Sequence, residues 1–395
     1  MRMSGGALDG LRLVEMGQLI AGPFCGQLMA DHGAEVIKIE APGVGDPMRV
    51  WGRGAALWWP QVARNKKCVT LNLRDPRGQD LARQLIAKSD FLLENFRTGT
   101  MERWQLDYER LSKLNPGLIM IRVTGYGQTG PYSGRAGFGS IGEAMGGLRY
   151  LAGDPATPPS RIGISIGDSL AATFGCLGGL MALQTRHRTG RGQVVDSAIY
   201  EAVLAMMEST VAEYTETGFI RERTGSILPG IAPSNVYPTK DGEILIGANQ
   251  DNVWSRLTEA MGRPDLTQDP RFHNHEARGK NQTELDDLIS AWSRGFDSKS
   301  LLDIMDRAGV PAGKIYRAPD MMEDPHFAAR KALLKVAHPE FKNLWMQNTF
   351  PRLSETPGEV KWPGPALGAH NEEIWGGLLG LGSAAQAKLR DDGII

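Results

Sequence analysis

Residues 11–40 constrain the fold of this chain more than any other segment. They predict a strand over residues 11–16, a glycine turn, a helix that closes on Gly33 and a second strand over residues 34–40. A strand, a helix and a second strand within about 30 residues form the parallel βαβ unit. The sequence therefore predicts an α/β fold.

The glycines of this unit are similar to those of a dinucleotide-binding motif, but their spacing differs. Gly17, Gly22 and Gly26 follow the first strand, and Glu40 ends the second. The motif requires G-x-G-x-x-G, because its backbone must approach a pyrophosphate closely. An NAD-dependent enzyme is therefore the least favoured alternative.

Three further apolar runs extend the predicted parallel sheet. They cover residues 65–74, 90–96 and 118–123. The run over residues 90–96 ends in a polar tip, which is where open α/β sheets usually bind their ligands. From charge alone, the lysines that begin the run over residues 65–74 are typical of a solvated edge.

Length and charge exclude several classes of protein. The chain has 395 residues, of which 41% are hydrophobic, enough for two or three domains. Its net charge of -1 is unlike that of a nucleic-acid-binding protein. No apolar run approaches the roughly 20 residues of a membrane span. We expect a cytoplasmic protein with no nucleic-acid or membrane partner.

The cysteines and histidines form no recognisable metal-binding pattern. Cys25, Cys68 and Cys176 are far apart in sequence, as is common in a reducing cytosol. His273 and His275 form an isolated His-x-His motif with no third ligand nearby. We expect no bound metal.

Residues 163–202 contain the strongest candidate for catalysis. The pattern predicts a strand over residues 162–166, a tight turn over residues 167–169 and a helix of about five turns ending before Gly190. Asp168 would then stand where a strand meets a helix. Its position leaves two roles open, a helix cap or a nucleophile that the helix dipole keeps ionised.

Long motifs of the chain resemble the class III CoA-transferase family. GDSLAATFGCLGGLMAL and the following RTGRGQVVDSAIYEAV are similar to its central signature, and AGPFCGQLMADHGAEVIKIEAPGVGDPMR to its opening. The resemblance implies that Asp168 is the nucleophile and forms a mixed anhydride with an acyl group. It also implies coenzyme A, as acyl-CoA, and small carboxylic acids as substrates.

The resemblance implies an architecture as well. A Rossmann-like large domain would be built from residues 1–225 and 326–395, with a smaller α+β domain of residues 226–325 between them. The Pro-, Gly- and Ser-rich segment of residues 224–238 marks the first boundary. Two such subunits would form an interlocked homodimer.

The same resemblance implies which residues line the CoA site. Arg74 and Arg103 would lie near the phosphates, where charge-assisted hydrogen bonds are strong, and Asn95 and Arg97 near the pantetheine. The full set is Leu19, Ile20, Ala41, Leu71, Asn72, Leu73, Arg74, Asn95, Phe96, Arg97, Arg103, Arg135, Ala136, Gly137 and Phe138.

The chain departs from family members at four of the matching positions. Ile20 replaces a glutamine and Ala41 an arginine, while Phe138 and Gly139 replace a tyrosine and an acid. Glu143, one helical turn further on, is the nearest acid that could compensate.

Phe138 and Gly139 also bear on the choice of reaction. Racemases of the family carry a histidine and an aspartate there for acid/base chemistry, and phenylalanine cannot accept a proton. The sequence therefore favours CoA transfer between two acids. The alternatives are a 2-methylacyl-CoA racemase and a non-catalytic acyl-CoA-binding protein. RVTGYGQTGP, SILPGIAPSNVYPTKDG and PRLSETPGEV resemble members that use succinyl-CoA and other dicarboxylates.

Overall fold

The computed structural model describes residues 5–395, and the chain forms two compact units. The larger unit is discontinuous, because the chain leaves it and returns. The boundaries expected at residues 226 and 325 stay predictions. The larger unit contains the described chain through Arg149, Ile162–Ala212 and Ala328–Ile395; the smaller contains Tyr150–Arg161 and Glu213–Phe327.

The strands are β1 Arg12–Glu15, β2 Glu35–Glu40, β3 Lys66–Thr70, β4 Phe91–Glu94, β5 Ile119–Thr124, β6 Val194–Ala198, β7 Ser234–Pro238, β8 Glu243–Gly247, β9 Ala312–Lys314, β10 Leu333–Val336 and β11 Leu344–Gln347. The helices are α1 Ala21–Asp31, α2 Trp58–Val62, α3 Pro76–Ala87, α4 Thr100–Arg103, α5 Tyr108–Leu114, α6 Gly139–Met145, α7 Leu148–Leu151, α8 Ile166–Thr189, α9 Ile199–Leu204, α10 Thr210–Thr217, α11 Asp251–Ala260, α12 His275–Lys280, α13 Gln282–Ser293, α14 Ser298–Ala308, α15 Ala318–Glu323, α16 Pro325–Ala329 and α17 Ser383–Asp391. Short 3-10 helices cover Pro47–Val50 and Pro264–Thr267, and a π-helix covers Glu372–Leu378.

The larger unit is built on a six-stranded parallel sheet in the order β3-β2-β1-β4-β5-β6. This is the strand order of doubly wound dinucleotide-binding folds, in which ligands bind where the order reverses. The predicted α/β fold is confirmed. The reversal lies between β1 and β4, so the loops that follow these two strands flank the expected crevice.

Apolar residues cover both faces of this sheet. Leu13 packs with α1 and α8 on one face, whereas the next residue, Val14, packs with α3, α5 and the C-terminal segment on the other. The alternation follows from the period of two in a strand. A parallel sheet buried on both faces gives the loops at its ends a rigid support.

The edge strand β3 is covered, so the expectation of a solvated edge is wrong. The backbone N–H of Cys68 donates to His370 Nδ1 at 3.1 Å, and that of Thr70 to Asn371 Oδ1 at 2.9 Å. Lys66 is fully buried and pairs with Glu15 on β1 at 2.7 Å. The returning C-terminal segment thus supplies the hydrogen bonds that an open edge would lack.

The segment before Asp168 differs from its prediction. Residues 162–166 form no strand, and α8 already begins at Ile166. Asp168 therefore lies within the first helical turn rather than at the N-cap, which is Ser165. The helix has 24 residues, longer than expected, and ends as predicted at Gly190 in a left-handed conformation with φ of 70°.

The helix α8 is also long and apolar enough to cross a membrane, with mean hydropathy 1.4, contrary to the expectation from sequence. It packs against α1, β5, β6 and α9 of the same unit. These contacts are those of a core helix, and they account for its apolar composition.

The smaller unit has its own sheet and core. Strands β7, β8 and β9 form an antiparallel sheet in that order. Tyr237, Trp254 and Phe272 belong to an apolar core that it shares with α11, α13 and α14. Both histidines of the His-x-His motif contact backbone carbonyls, His273 that of Pro270 and His275 that of Asn249.

Candidate active site

The loops after β1 and β4 are joined by one side chain at the point where the strand order reverses. Asn95 Nδ2 donates to the carbonyl of Gln18 at 2.9 Å, and the N–H of Gln18 donates back to Asn95 Oδ1 at 2.7 Å. A Cβ on Gly17 or Gly22 would lie 3.3 Å from the Asn95 side chain. The two glycines therefore let Asn95 close the crevice at its base.

A cluster of buried charges holds the loop after β1. Lys38 Nζ, fully buried, donates to Glu15 at 3.0 Å and to the carbonyl of Gly17 at 2.7 Å, and it forms an ion pair with Asp46 at 2.8 Å. Asp46 in turn accepts the N–H of Leu19 at 3.1 Å. Leu19 has a φ of 62°, which is costly for a branched side chain, and this contact helps to hold it there.

The charges of this cluster stabilise one another. Burial opposes the charge on Lys38, but the carboxylates of Glu15 and Asp46 outweigh it and raise its pKa. Burial likewise opposes ionisation of Asp46, and Lys38 lowers its pKa below the usual value. Burial lowers the pKa of Lys66 despite its pairing with Glu15. Compensated charges of this kind hold a definite geometry, because losing one partner leaves the other buried and unpaired.

Glu40 is engaged by protein groups. Both of its carboxylate oxygens accept from Arg49 at 2.7 Å, and it also accepts the N–H of Asp46 at 2.9 Å. A nucleotide ribose would have to displace these bonds, which further disfavours an NAD site. The neighbouring Ala41, at the same sheet edge, is exposed.

The expected CoA positions after β3 divide between core and surface. Leu71 and Leu73 are buried in the sheet core, so that only their backbone is available to a ligand. Asn72 accepts the N–H of Arg74 at 3.1 Å, and the Arg74 side chain is exposed. In the first loop, Ile20 packs against a small apolar cluster instead of facing solvent fully.

The loops after β4 and β5 come together at the same edge of the sheet. Arg97 Nε donates to the carbonyl of Gly134 at 2.7 Å. Phe96 packs edge-on against Trp104 with ring centroids 5.0 Å apart, and exposed Arg103 donates to Thr100. The contact between Arg97 and Gly134 thus brings together two segments that the sequence analysis assigned to the CoA site separately.

The segment from Arg135 to Phe138 lies on the surface of the loop that joins β5 to α6. Arg135 stacks on the ring of Tyr132 at 3.7 Å, Ala136 is exposed, and Phe138 is 67% exposed. A Cβ on Gly125 would lie 2.9 Å from Cα of Gly137, so the backbones at the start and the end of this loop are in contact. Glycine is needed at both positions.

Asp168 lies directly against Gly139, the first residue of α6. A Cβ at this position would lie 3.0 Å from Oδ1 of Asp168 and closer still to Oδ2. The carboxylate thus occupies the space that any other side chain at position 139 would fill. Its place in the first turn of the long helix α8 also favours the ionised form.

Glu143, on α6, lies against Gly167 in the first turn of α8. It is 3% exposed, and its Oε1 accepts the N–H of Gly167 at 3.3 Å. Its Oε2 accepts from Arg149 Nη2 at 3.3 Å. Glu143 therefore contacts the residue that precedes Asp168, which links α6 to α8.

The comparison with protein families decides which family the chain belongs to. The family model described as CoA-transferase family III matches residues 8–371, nearly the whole chain. The chain belongs to this family.

Relatives of this CoA-transferase match it from end to end. A succinyl-CoA–D-citramalate CoA-transferase of Chloroflexus aurantiacus is 59% identical over 98% of this chain and 98% of its own. The beta subunit of a succinyl-CoA–L-malate CoA-transferase of the same organism is 39% identical, again over 98% of both chains. A crystal structure of a CAIB/BAIF family protein from Brucella suis has a TM-score of 0.85 and 32% identity, covering 95% of this chain and all of that one. The preference for a CoA-transferase over a racemase or a binding protein agrees with these matches.

An apolar cavity of the transferase borders the first turn of α8. Its volume is about 700 Å³, and Ser165 and Ser169 line it on either side of Asp168 in sequence. Phe24, Trp58 and Phe350 contribute apolar surface.

Sequence reasoning missed several residues of the transferase site. Lys38 and Asp46 were not proposed, although a lysine inside the apolar run VIKIE is a signal of a buried ion pair. Thr98 Oγ1 and both amide atoms of Gln128 are buried without a partner among the described residues. Both residues follow strands at the ligand-binding edge, and no local sequence pattern indicates that these atoms are buried. Unsatisfied buried polar groups of this kind often receive a ligand or water.

Proposed function

We propose that the protein transfers CoA from succinyl-CoA to a second short dicarboxylic acid, such as citramalate, with Asp168 as the covalent carrier. The observation that carries the proposal is the 59% identity over 98% of both chains to an enzyme with these substrates. The placement of a first-turn carboxylate against Gly139 supports the role of Asp168.

The reaction proceeds by exchange at carboxylate and thioester carbons. The Asp168 carboxylate attacks the thioester carbonyl of succinyl-CoA, the C–S bond breaks, and CoA leaves as thiolate, giving a mixed anhydride. The thiolate attacks the Asp168 carbonyl carbon, releasing succinate and forming an aspartyl-CoA thioester. The acceptor carboxylate displaces the thiolate to form a second anhydride. The thiolate then attacks the acceptor acyl carbon and frees Asp168. One thioester replaces another, so the overall balance requires no ATP.

Coenzyme A would lie along the loops at the carboxyl ends of the strands. Exposed guanidinium groups at Arg74, Arg97, Arg103 and Arg135 are suited to its phosphates, because arginine forms strong charge-assisted bonds with phosphate. The hydrogen bonds between Asn95 and Gln18, together with the ion cluster around Lys38, would keep these loops in place before CoA binds.

A homodimer is part of the proposal. In the larger unit, α8 exposes Leu177 and Met181 to solvent, at 44% and 60%. Exposed apolar side chains on a partly buried helix are suited to contact with a second subunit. We retain the interlocked arrangement and a cytoplasmic location as proposals.

Transfer to a panel of short acids, followed by mass spectrometry of the acyl-CoA products, tests this function. We expect succinyl-CoA to give the CoA ester of a dicarboxylic acid in the wild type and no product in Asp168→Asn. Binding of CoA esters without exchange to any acid would contradict the proposal, as would turnover by a folded Asp168→Asn variant.

A further inference from the structure

Arg149 extends the chain of contacts that begins at Asp168. Gly139 contacts the Asp168 carboxylate, and Glu143 lies one turn further along α6, a rise of about 6 Å. Glu143 contacts both Gly167 and Arg149. The guanidinium of Arg149 is therefore separated from Gly167, the residue before Asp168, by the single side chain of Glu143.

The guanidinium of Arg149 has a hydrogen-bond donor that is not used by the described residues. Its side chain is 27% exposed, and its hydrogen bond to Glu143 is long at 3.3 Å. Its Nε is buried without a hydrogen-bond partner among the described residues. A guanidinium carries five N–H groups in a planar fork that matches a carboxylate. A buried donor left unpaired is costly, and a ligand carboxylate would satisfy it.

The substrates named for the relatives share a feature that such a group would recognise. Succinate, citramalate and malate are short acids with two carboxylates. One carboxylate must react at Asp168, and the other then lies a few carbon atoms away. This second carboxylate needs a cationic partner, because burying it unpaired would oppose binding.

We propose that Arg149 binds the second carboxylate of each dicarboxylic acid while the first reacts at Asp168. This inference rests on the proposed function, and it assigns the substrate class to one side chain. Because succinyl donor and acceptor acid occupy the site in turn, the same guanidinium serves both. Glu143 holds the guanidinium in place through its remaining oxygen.

A pair of donors that differ only at the far end separates this role from a structural one. Succinyl-CoA ends in a carboxylate and butyryl-CoA in a methyl group, whereas the thioester and CoA are identical. For Arg149→Gln we expect kcat/KM for succinyl-CoA to fall about 100-fold or more, the usual effect of removing one partner of a buried charge pair. The value for butyryl-CoA should change less than about 3-fold, and Arg149→Lys should recover part of the loss.

The measurement is CoA release in a single turnover with excess enzyme, which gives a value even where steady-state turnover is slow. Arg110→Gln, at an exposed arginine on α5, is the matched control, and thermal unfolding checks that each variant is folded. Equal losses with both donors would show that Arg149 only supports the fold of the site. No loss with succinyl-CoA would show that it does not contact the substrate. The proposed function itself fails if the wild type releases CoA from neither donor. It also fails if a folded Asp168→Asn variant still releases CoA.

Discussion

The two sides of the active-site crevice are held by different physical means. On the side of β1 and β2, buried charges fix the loop, with Lys38 joining Gly17, Glu15 and Asp46. On the side of α6 and α8, close contact fixes the proposed nucleophile, since Gly139 leaves room for the Asp168 carboxylate. The first arrangement requires that Lys38, Glu15 and Asp46 all carry their charges. The second requires that position 139 has no Cβ atom.

This difference predicts that stability and activity separate between the two sides. Removing a buried charge leaves its partner unpaired in the core, which lowers the free energy of unfolding. Adding a methyl group beside a side-chain carboxylate moves only the end of a flexible group, so stability changes little. The displaced group is the proposed nucleophile, however, and misplacement of about 1 Å can cost about 100-fold in rate.

Gly139→Ala should have the largest effect on activity. The new Cβ would overlap both oxygens of Asp168, so the carboxylate must move. We expect kcat to fall about 100-fold or more with little change in the unfolding midpoint, measured by CoA-transfer assays and urea denaturation. Gly377→Ala, where a Cβ would meet no atom within 4 Å, is the control. Near-normal activity in Gly139→Ala would show that the close contact does not position Asp168.

Lys38→Met should have the largest effect on stability. It leaves Glu15 and Asp46 buried beside an apolar side chain, which typically costs about 3–5 kcal/mol of unfolding free energy. We expect urea unfolding to show this loss, while the activity of the folded fraction falls less than in Gly139→Ala. Lys113→Met, at a lysine that is 73% exposed, should change neither. An unchanged unfolding free energy in Lys38→Met would refute the role assigned to the ion cluster.

Asp46→Asn should change how the free energy of unfolding depends on pH in acid. We expect this effect to be smaller than the stability loss in Lys38→Met. Lys38 lowers the pKa of Asp46 in the folded state, against burial, so its contribution is present above the unfolded value of 3.8. That contribution is lost as pH falls through the lower folded pKa. Below pH 3.8, the variant should therefore lose stability less steeply, by at most about 1.4 kcal/mol per pH unit for one proton. Urea unfolding at several pH values measures the slope, and a slope as steep as that of wild type would contradict this assignment.

The framework of the sheet could be read from sequence because its signals are local. The two strands of the βαβ unit over residues 11–40 appear within one residue of their predicted bounds, and the helix between them ends at Asp31, two residues before Gly33. The strand predicted over residues 162–166 does not form, although its apolar residues alternate. Ile166, the last residue of that segment, is instead the first residue of α8. Ile164 remains 60% exposed.

The parts of the site that could not be predicted depend on contacts between distant residues. Lys66 looks like a surface charge until Glu15, on another strand, is seen beside it. Gly139 looks like the loss of an acid until the carboxylate of Asp168 is seen in its place. In both cases the residue type is explained by a partner that local periodicity does not identify.

Trapping the covalent intermediate tests the central claim most directly. Wild-type protein is incubated with succinyl-CoA and no acceptor, treated with hydroxylamine and digested for tandem mass spectrometry. The account predicts a hydroxamate at Asp168, absent without succinyl-CoA and absent in Asp168→Asn, because an acyl-activated carboxylate reacts with the amine. Transfer activity with unmodified Asp168, or a hydroxamate at neighbouring Glu143 instead, would contradict it.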